Sequence, residues 1–208
     1  MDGNNASFKS NASTYLGKSG NGIACYNVNM TELKQAVTRG GGNPDAANVG
    51  NLSMEFDIVP QKGGYKNLEI LGPVGTYAGT SRKGSAIVAN WIPYLGQKSS
   101  NDPAGFGYIN LSDATEDYIF SAGLSGCNFV VVQQTNGDKW VYHEPTASSW
   151  PSAPAYGGTV LLRAGPTYSD TVHGGYAMVV RNGTTGWKIL VQSVAGVAVQ
   201  GVTEHVIP

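Results

Sequence analysis

The chain has few residues able to act as nucleophile, base or soft metal ligand: two cysteines, Cys25 and Cys127, and three histidines, His143, His173 and His205. Two cysteines allow one bridge at most, and too few histidines accompany them for a familiar zinc pattern. His143-Glu144 begins like the zincin helix, but Pro145 follows and no second histidine lies four residues on. Gly17-Lys18-Ser19 lacks the glycine and the preceding strand that a phosphate-binding loop requires, since Ala12 stands where the first glycine should be. Gly123-Leu124-Ser125-Gly126-Cys127 has Cys127 in place of the last glycine of a nucleophile elbow, so Ser125 is not expected to be the nucleophile.

Cys127 with His143 remains. A thiol becomes a nucleophile when a neighbouring imidazole takes its proton, and the same imidazole can return that proton to a leaving group. Asn136-Gly137 lies between the two strand-like runs 128–134 and 139–144, which predicts a hairpin that brings the pair near. With Asn136 and Gly137 as the two central turn residues, Val132 faces Val141 and Val130 faces His143. Cys127 then lies three residues beyond the histidine's partner, about 10 Å along the strand and on the opposite face. Contact therefore demands that Cys127 leave the ladder on the Leu-Ser-Gly turn, which Gly126 permits, or that a bulge shift the register. On spacing alone, a buried cysteine beside a satisfied histidine competes with catalysis as the reading of this pair.

The elements that must position these groups follow from composition and pattern. Lys and Arg number 13 and Asp and Glu 14, giving a net charge of -1. Charged residues are 13% of the chain, about half the usual share, which excludes a coiled coil or a charge-rich disordered segment. No basic field or like-charge run favours direct nucleic-acid binding, and no apolar stretch is long enough for a membrane-spanning helix. The 29 glycines and 10 prolines favour frequent turns between short strands. Strands are expected at 53–60, 67–71, 85–95, 106–110, 128–134, 139–144, 159–164, 175–182, 186–194 and 197–206. A helix is expected after Asn29 as N-cap, with Glu32 as its capping-box partner and Gly40 ending it; 111–118 reads as a helical turn capped by Ser112. Residues 1–28 are polar and aperiodic and read as a mobile arm or an irregular strap outside the core. The sum is a single domain over 1–208, an α+β sandwich of two mixed or antiparallel sheets with one or two short helices.

The string Leu124-Ser125-Gly126-Cys127, followed by a hairpin and His143, resembles the active-site signature of bacterial glutamine deamidase toxins, the group of the Burkholderia lethal factor and, more distantly, the cytotoxic necrotizing factors. Met54-Glu55-Phe56-Asp57, Trp91-Ile92-Pro93-Tyr94 and Leu162-Arg163-Ala164-Gly165 resemble segments of the lethal factor in the same order. The resemblance implies Cys127 as nucleophile, His143 as acid and base, and Ser121 in the place of a threonine, retaining a hydroxyl that can orient the imidazole. It implies an oxyanion site at the turn of Ser125, Gly126 and Asn128, hydrolysis of a glutamine carboxamide without cofactor or metal, and transglutamination where an amine replaces water. The partner it implies is a host protein, a translation-initiation RNA helicase or a Rho GTPase, met by a monomer in the host cytosol. The first 25 residues lack the apolar core of a secretory signal, so export by another route or release on lysis is expected. The chain differs from the family in a longer N-terminal arm, a Cys-to-His spacing of 16, and a divergent final segment. From a different class, a non-catalytic β-sandwich binding module stands as the alternative.

Overall fold

The computed structural model describes residues 2–23, 53–61, 64–74, 86–93, 102–145, 152–166, 174–196 and 198–208. The helix expected after Asn29 lies outside these residues, as do Cys25, Tyr94 and His173. Eleven strands are present among the described residues: β1 (Ser53–Pro60), β2 (Lys66–Pro73), β3 (Ile87–Ile92), β4 (Gly107–Asn110), β5 (Tyr118–Ser121), β6 (Asn128–Gln133), β7 (Lys139–Glu144), β8 (Thr159–Ala164), β9 (Gly174–Asn182), β10 (Gly186–Ala195) and β11 (Ala198–Val206). They form a seven-stranded sheet in the order β11-β10-β9-β5-β3-β1-β2 and a four-stranded sheet in the order β4-β7-β6-β8. The expected sandwich of two sheets is the observed fold. Among the described strands, β3 and β5 alone pair with each other in parallel.

Alternation along the strands builds two large cores and, on the outer face of the small sheet, a smaller cluster of Phe106, Val130, Val132, Tyr142 and Tyr156. Phe129, Val131 and Val141 of the small sheet meet Ile119, Ala177, Val179, Ile189 and Val191 of the large one. The other face of the large sheet carries Phe56, Trp91, Phe120, Tyr176 and Met178, covered by Phe8, Tyr15 and Leu16. Because both faces are covered, β9 is buried continuously from Gly174 to Val180 rather than alternately. Complete burial of each large apolar side chain contributes about 1.5–3 kcal/mol.

The covering layer corrects the reading of the N-terminal segment as an arm outside the core. Residues Asp2–Ser10 form α1 and Ala12–Leu16 form α2, the second capped by Asn11, whose Oδ1 accepts from the Thr14 amide at 2.9 Å. Asn5, Phe8, Ala12 and Tyr15 recur at helical spacing, but the buried face begins with a polar residue, which hides the period. Asn5 is wholly buried because its amide donates to Asp57 Oδ1 at 2.8 Å and its oxygen accepts from the Ile58 amide at 2.9 Å. Gln192 of β10 fastens the continuation of this segment, donating to the carbonyls of Leu16 and Asn21 and accepting from the Ile23 amide.

Residues 111–118 also differ from expectation. Asn110 Oδ1 accepts from the Ser112 amide and its carbonyl accepts from the Asp113 amide, so an Asx turn built on Asn110 stands in place of the Ser112-capped helical turn. The chain then enters β5, a strand the pattern did not reveal. Among the described residues, no helix is long and apolar enough to cross a membrane.

Candidate active site

The hairpin of β6 and β7 decides which face Cys127 shares. Its loop has three residues, Thr135, Asn136 and Gly137, and not the two expected: the Gln134 amide donates to the Asp138 carbonyl at 2.7 Å and the Gly137 amide to the Gln134 carbonyl at 2.9 Å. Gly137, at φ +91°, supplies the left-handed residue such a loop requires, and Asn136 Oδ1 accepts from the Asp138 amide. The extra residue shifts the register by one. Phe129, not Val130, faces His143, and Val131 faces Val141. Since side chains alternate, a one-residue shift exchanges faces, and Cys127, two residues before Phe129, now shares the inner face with His143. Phe129 lies directly opposite His143 in the sheet, its ring centroid 5.8 Å from that of His143.

Cys127 also stands off the ladder. Leu124 and Gly175 exchange two backbone hydrogen bonds of 2.9 Å, tying the turn to β9, and Gly126 reverses the chain at φ +84° before β6 begins. A side chain at Gly126 would be strained in this left-handed conformation. Cys127 packs into the inter-sheet core at 5% exposure.

β5 brings the third group. Ser121, its last residue, is fully buried, with Oγ 2.8 Å from the Ile92 carbonyl and 2.6 Å from His143 Nδ1. A hydroxyl has one hydrogen and a carbonyl only accepts, so Ser121 donates to Ile92 and accepts from Nδ1–H. This network assigns the tautomer and leaves the Nε2 lone pair as the basic site of the imidazole. Burial at 1% exposure lowers the His143 pKa from 6.5 to about 3, so the ring is neutral at neutral pH. The imidazole is thus available to accept a proton.

The structure thus places Cys127, His143 and Ser121 on or beside one inter-sheet face. Sequence reasoning missed the Ile92 carbonyl, the acceptor that orients Ser121; no side-chain pattern announces a backbone atom. The remaining turn residues separate: Ser125 is exposed and Gly126 half-buried, while Asn128 opens β6 opposite Glu144 with its side chain on the outer face. Asn128 can therefore serve an oxyanion only through its backbone. On that outer face Tyr156 donates to Glu144 Oε2 at 2.6 Å and Arg163 pairs with it at 3.2 Å, clamping the end of β7 beside His143. Burial and the Glu144 carboxylate raise the Tyr156 pKa well above its usual value, so the phenol remains a donor.

No protein family and no curated protein sequence matches the chain. The likeness to glutamine deamidase toxins rests on the residues quoted above. No group of three or more His, Cys, Asp or Glu side chains suited to a metal ion occurs among the described residues.

Proposed function

We propose that this protein is a protein-glutamine deamidase in which Cys127 is the nucleophile, His143 the general acid and base, and Ser121 the residue that orients the imidazole. The observation that carries the reading is the 2.6 Å contact of Ser121 Oγ with His143 Nδ1, which turns Nε2 into the base on the face that Cys127 shares. In the reaction, Nε2 accepts the Cys127 thiol proton as sulfur attacks the carboxamide carbon of a glutamine. Backbone amides at the Gly126 turn hold the oxyanion. The imidazolium then protonates the amide nitrogen as the C–N bond breaks, ammonia leaves, and a thioester remains. Water, deprotonated by Nε2, attacks the thioester; the C–S bond breaks, the thiol is restored and glutamate is the product. An amine in place of water would give transglutamination.

A neutral buried imidazole suits this sequence because its charge arises together with that of the thiolate, so the site never holds a lone ion. Burial also requires the inter-sheet entrance to open when a glutamine arrives. The partner is a host protein whose interface is altered by one new negative charge; the resemblance directs the search to a translation-initiation RNA helicase and Rho GTPases.

The test is peptide mass spectrometry of a host-cell lysate treated with the wild-type chain or Cys127→Ser. The expected result is a glutamine that exchanges NH₂ for OH with the wild type alone, accompanied by ammonia. Identical peptide sets from both proteins would sink the proposal. The burial of all three groups favours a second reading, a binding module with a polar cluster in its core. In a Cys25→Ser background, that reading expects no effect of alkylating Cys127 on any lysate protein, whereas deamidation expects complete loss of glutamine conversion.

A further inference from the structure

A second polar site lies at the other end of the β6–β7 hairpin, roughly 15–20 Å of strand from Cys127. There the β6–β7 turn, the β9–β10 turn and the chain after β11 enclose an open pocket of about 490 Å³, within the ~300–1,000 Å³ range of small-molecule sites. Its chemistry is set by two cations, Lys139 and Arg181. The Arg181 guanidinium carbon stands 3.8 Å from the Trp187 ring centroid, and Nη2 donates to the Ala114 carbonyl at 3.1 Å. Stacking and that bond fix the planar group without occupying its remaining donors. The nearest carboxylate to Arg181, Asp117, is 3.9 Å away and 79% exposed, too solvated to neutralise it fully.

Lys139 lines the pocket, and its ammonium makes no ion pair with a described carboxylate. Asp138 is the one acidic side chain lining the pocket, and its Oδ2 accepts from the Asn110 and Asn136 amides at 3.2 and 2.9 Å; Pro208, which carries the α-carboxylate of the 208-residue chain, lines it too. Ser112 and Thr185 add hydroxyl donors to the wall. Backbone bonds of 2.9 Å, from Leu111 to Lys139 and from Ile207 to Trp187, hold the walls in place before any ligand arrives.

We propose that this pocket binds a small oxyanion, a ligand bearing phosphate or carboxylate, between Lys139 and Arg181. The site is separate from the Cys127 face and does not depend on the deamidase reading.

The experiment is an NMR titration of the ¹⁵N-labelled full chain with inorganic phosphate and, in a second arm, succinate, at ionic strength held constant with sodium chloride. Saturable shifts are expected at the amides of Gly137, Lys139, Thr185 and Gly186 and at the Trp187 indole N–H, with at least one anion. Half-saturation in the millimolar range, raised about tenfold or more in Lys139→Gln and in Arg181→Gln, follows from the loss of a charge-assisted hydrogen bond. Saturation with phosphate alone would assign the ligand's charged group to phosphate, and with succinate alone to carboxylate. Because Arg181 also anchors Ala114, Lys139→Gln carries the decision. Linear, non-saturating shifts with both anions, or half-saturation unchanged in Lys139→Gln, would overturn the proposal.

Discussion

His143 should make the protein acid-sensitive in a way that a single substitution removes. Its folded-state pKa is about 3, against 6.5 for an exposed histidine, because burial penalises the imidazolium. On acidification the unfolded chain therefore takes up a proton that the folded chain refuses. The stability held by the neutral ring is complete above the unfolded value and is lost as pH falls from about 6.5 toward 3. At about 1.4 kcal/mol per unit of separation, acidification from about pH 7 to about pH 4 removes roughly 3 kcal/mol through this residue alone. The assay is urea unfolding of wild type and His143→Gln at both pH values; the glutamine keeps a group able to meet Ser121 but cannot be protonated. Every other residue is the same in the two proteins, so the difference of differences isolates His143. Wild type should lose roughly 3 kcal/mol more than the variant over that range. Parallel stability curves, or an imidazole NMR titration placing the His143 midpoint near the exposed value, would refute the reasoning.

Ser121→Ala leaves the Ile92 carbonyl and His143 Nδ1 without their shared partner, and should cost about 2–4 kcal/mol in urea unfolding while abolishing glutamine conversion. Gly126→Ala forces a side chain into φ +84° and should cost about 1–2 kcal/mol; its activity should fall further than its stability explains, since the turn aims Cys127. Gln192→Ala removes the side chain that holds Leu16, Asn21 and Ile23, so limited proteolysis should clip residues 2–23 while β9 and β10 remain intact. Equal protease resistance in wild type and this variant would mean that packing of Phe8, Tyr15 and Leu16 alone holds the segment.

The strands were largely legible because most of them alternate or carry dense β-branched runs: 53–60, 139–144 and 159–164 have the expected limits. β5 was not, since four residues after a charged stretch provide too little period to read. The hairpin was placed correctly and paired one residue out of register. Asn136-Gly137 is the strongest two-residue turn signal in that stretch, and nothing about Thr135 says that it joins the loop. That single residue decided the site, because the two-residue loop sets Cys127 and His143 on opposite faces and the three-residue loop sets them on one. Ser121 was named through resemblance alone; only tertiary pairing of β5 beside β3 brings its hydroxyl under His143 and the Ile92 carbonyl.

The Gln192 side chain has a consequence for the order in which the molecule assembles. It reaches Leu16 across 176 positions of sequence, so Leu16, Asn21 and Ile23 cannot complete these hydrogen bonds until β10 has been made. During that interval Phe8, Tyr15 and Leu16 belong to a segment without its final partners, and closing so long a loop comes after the local hairpins have formed. The segment of α1 and α2, made well before β10, should be among the last to settle, and a translating chain arrested before Gln192 should leave this apolar stretch accessible to chaperones.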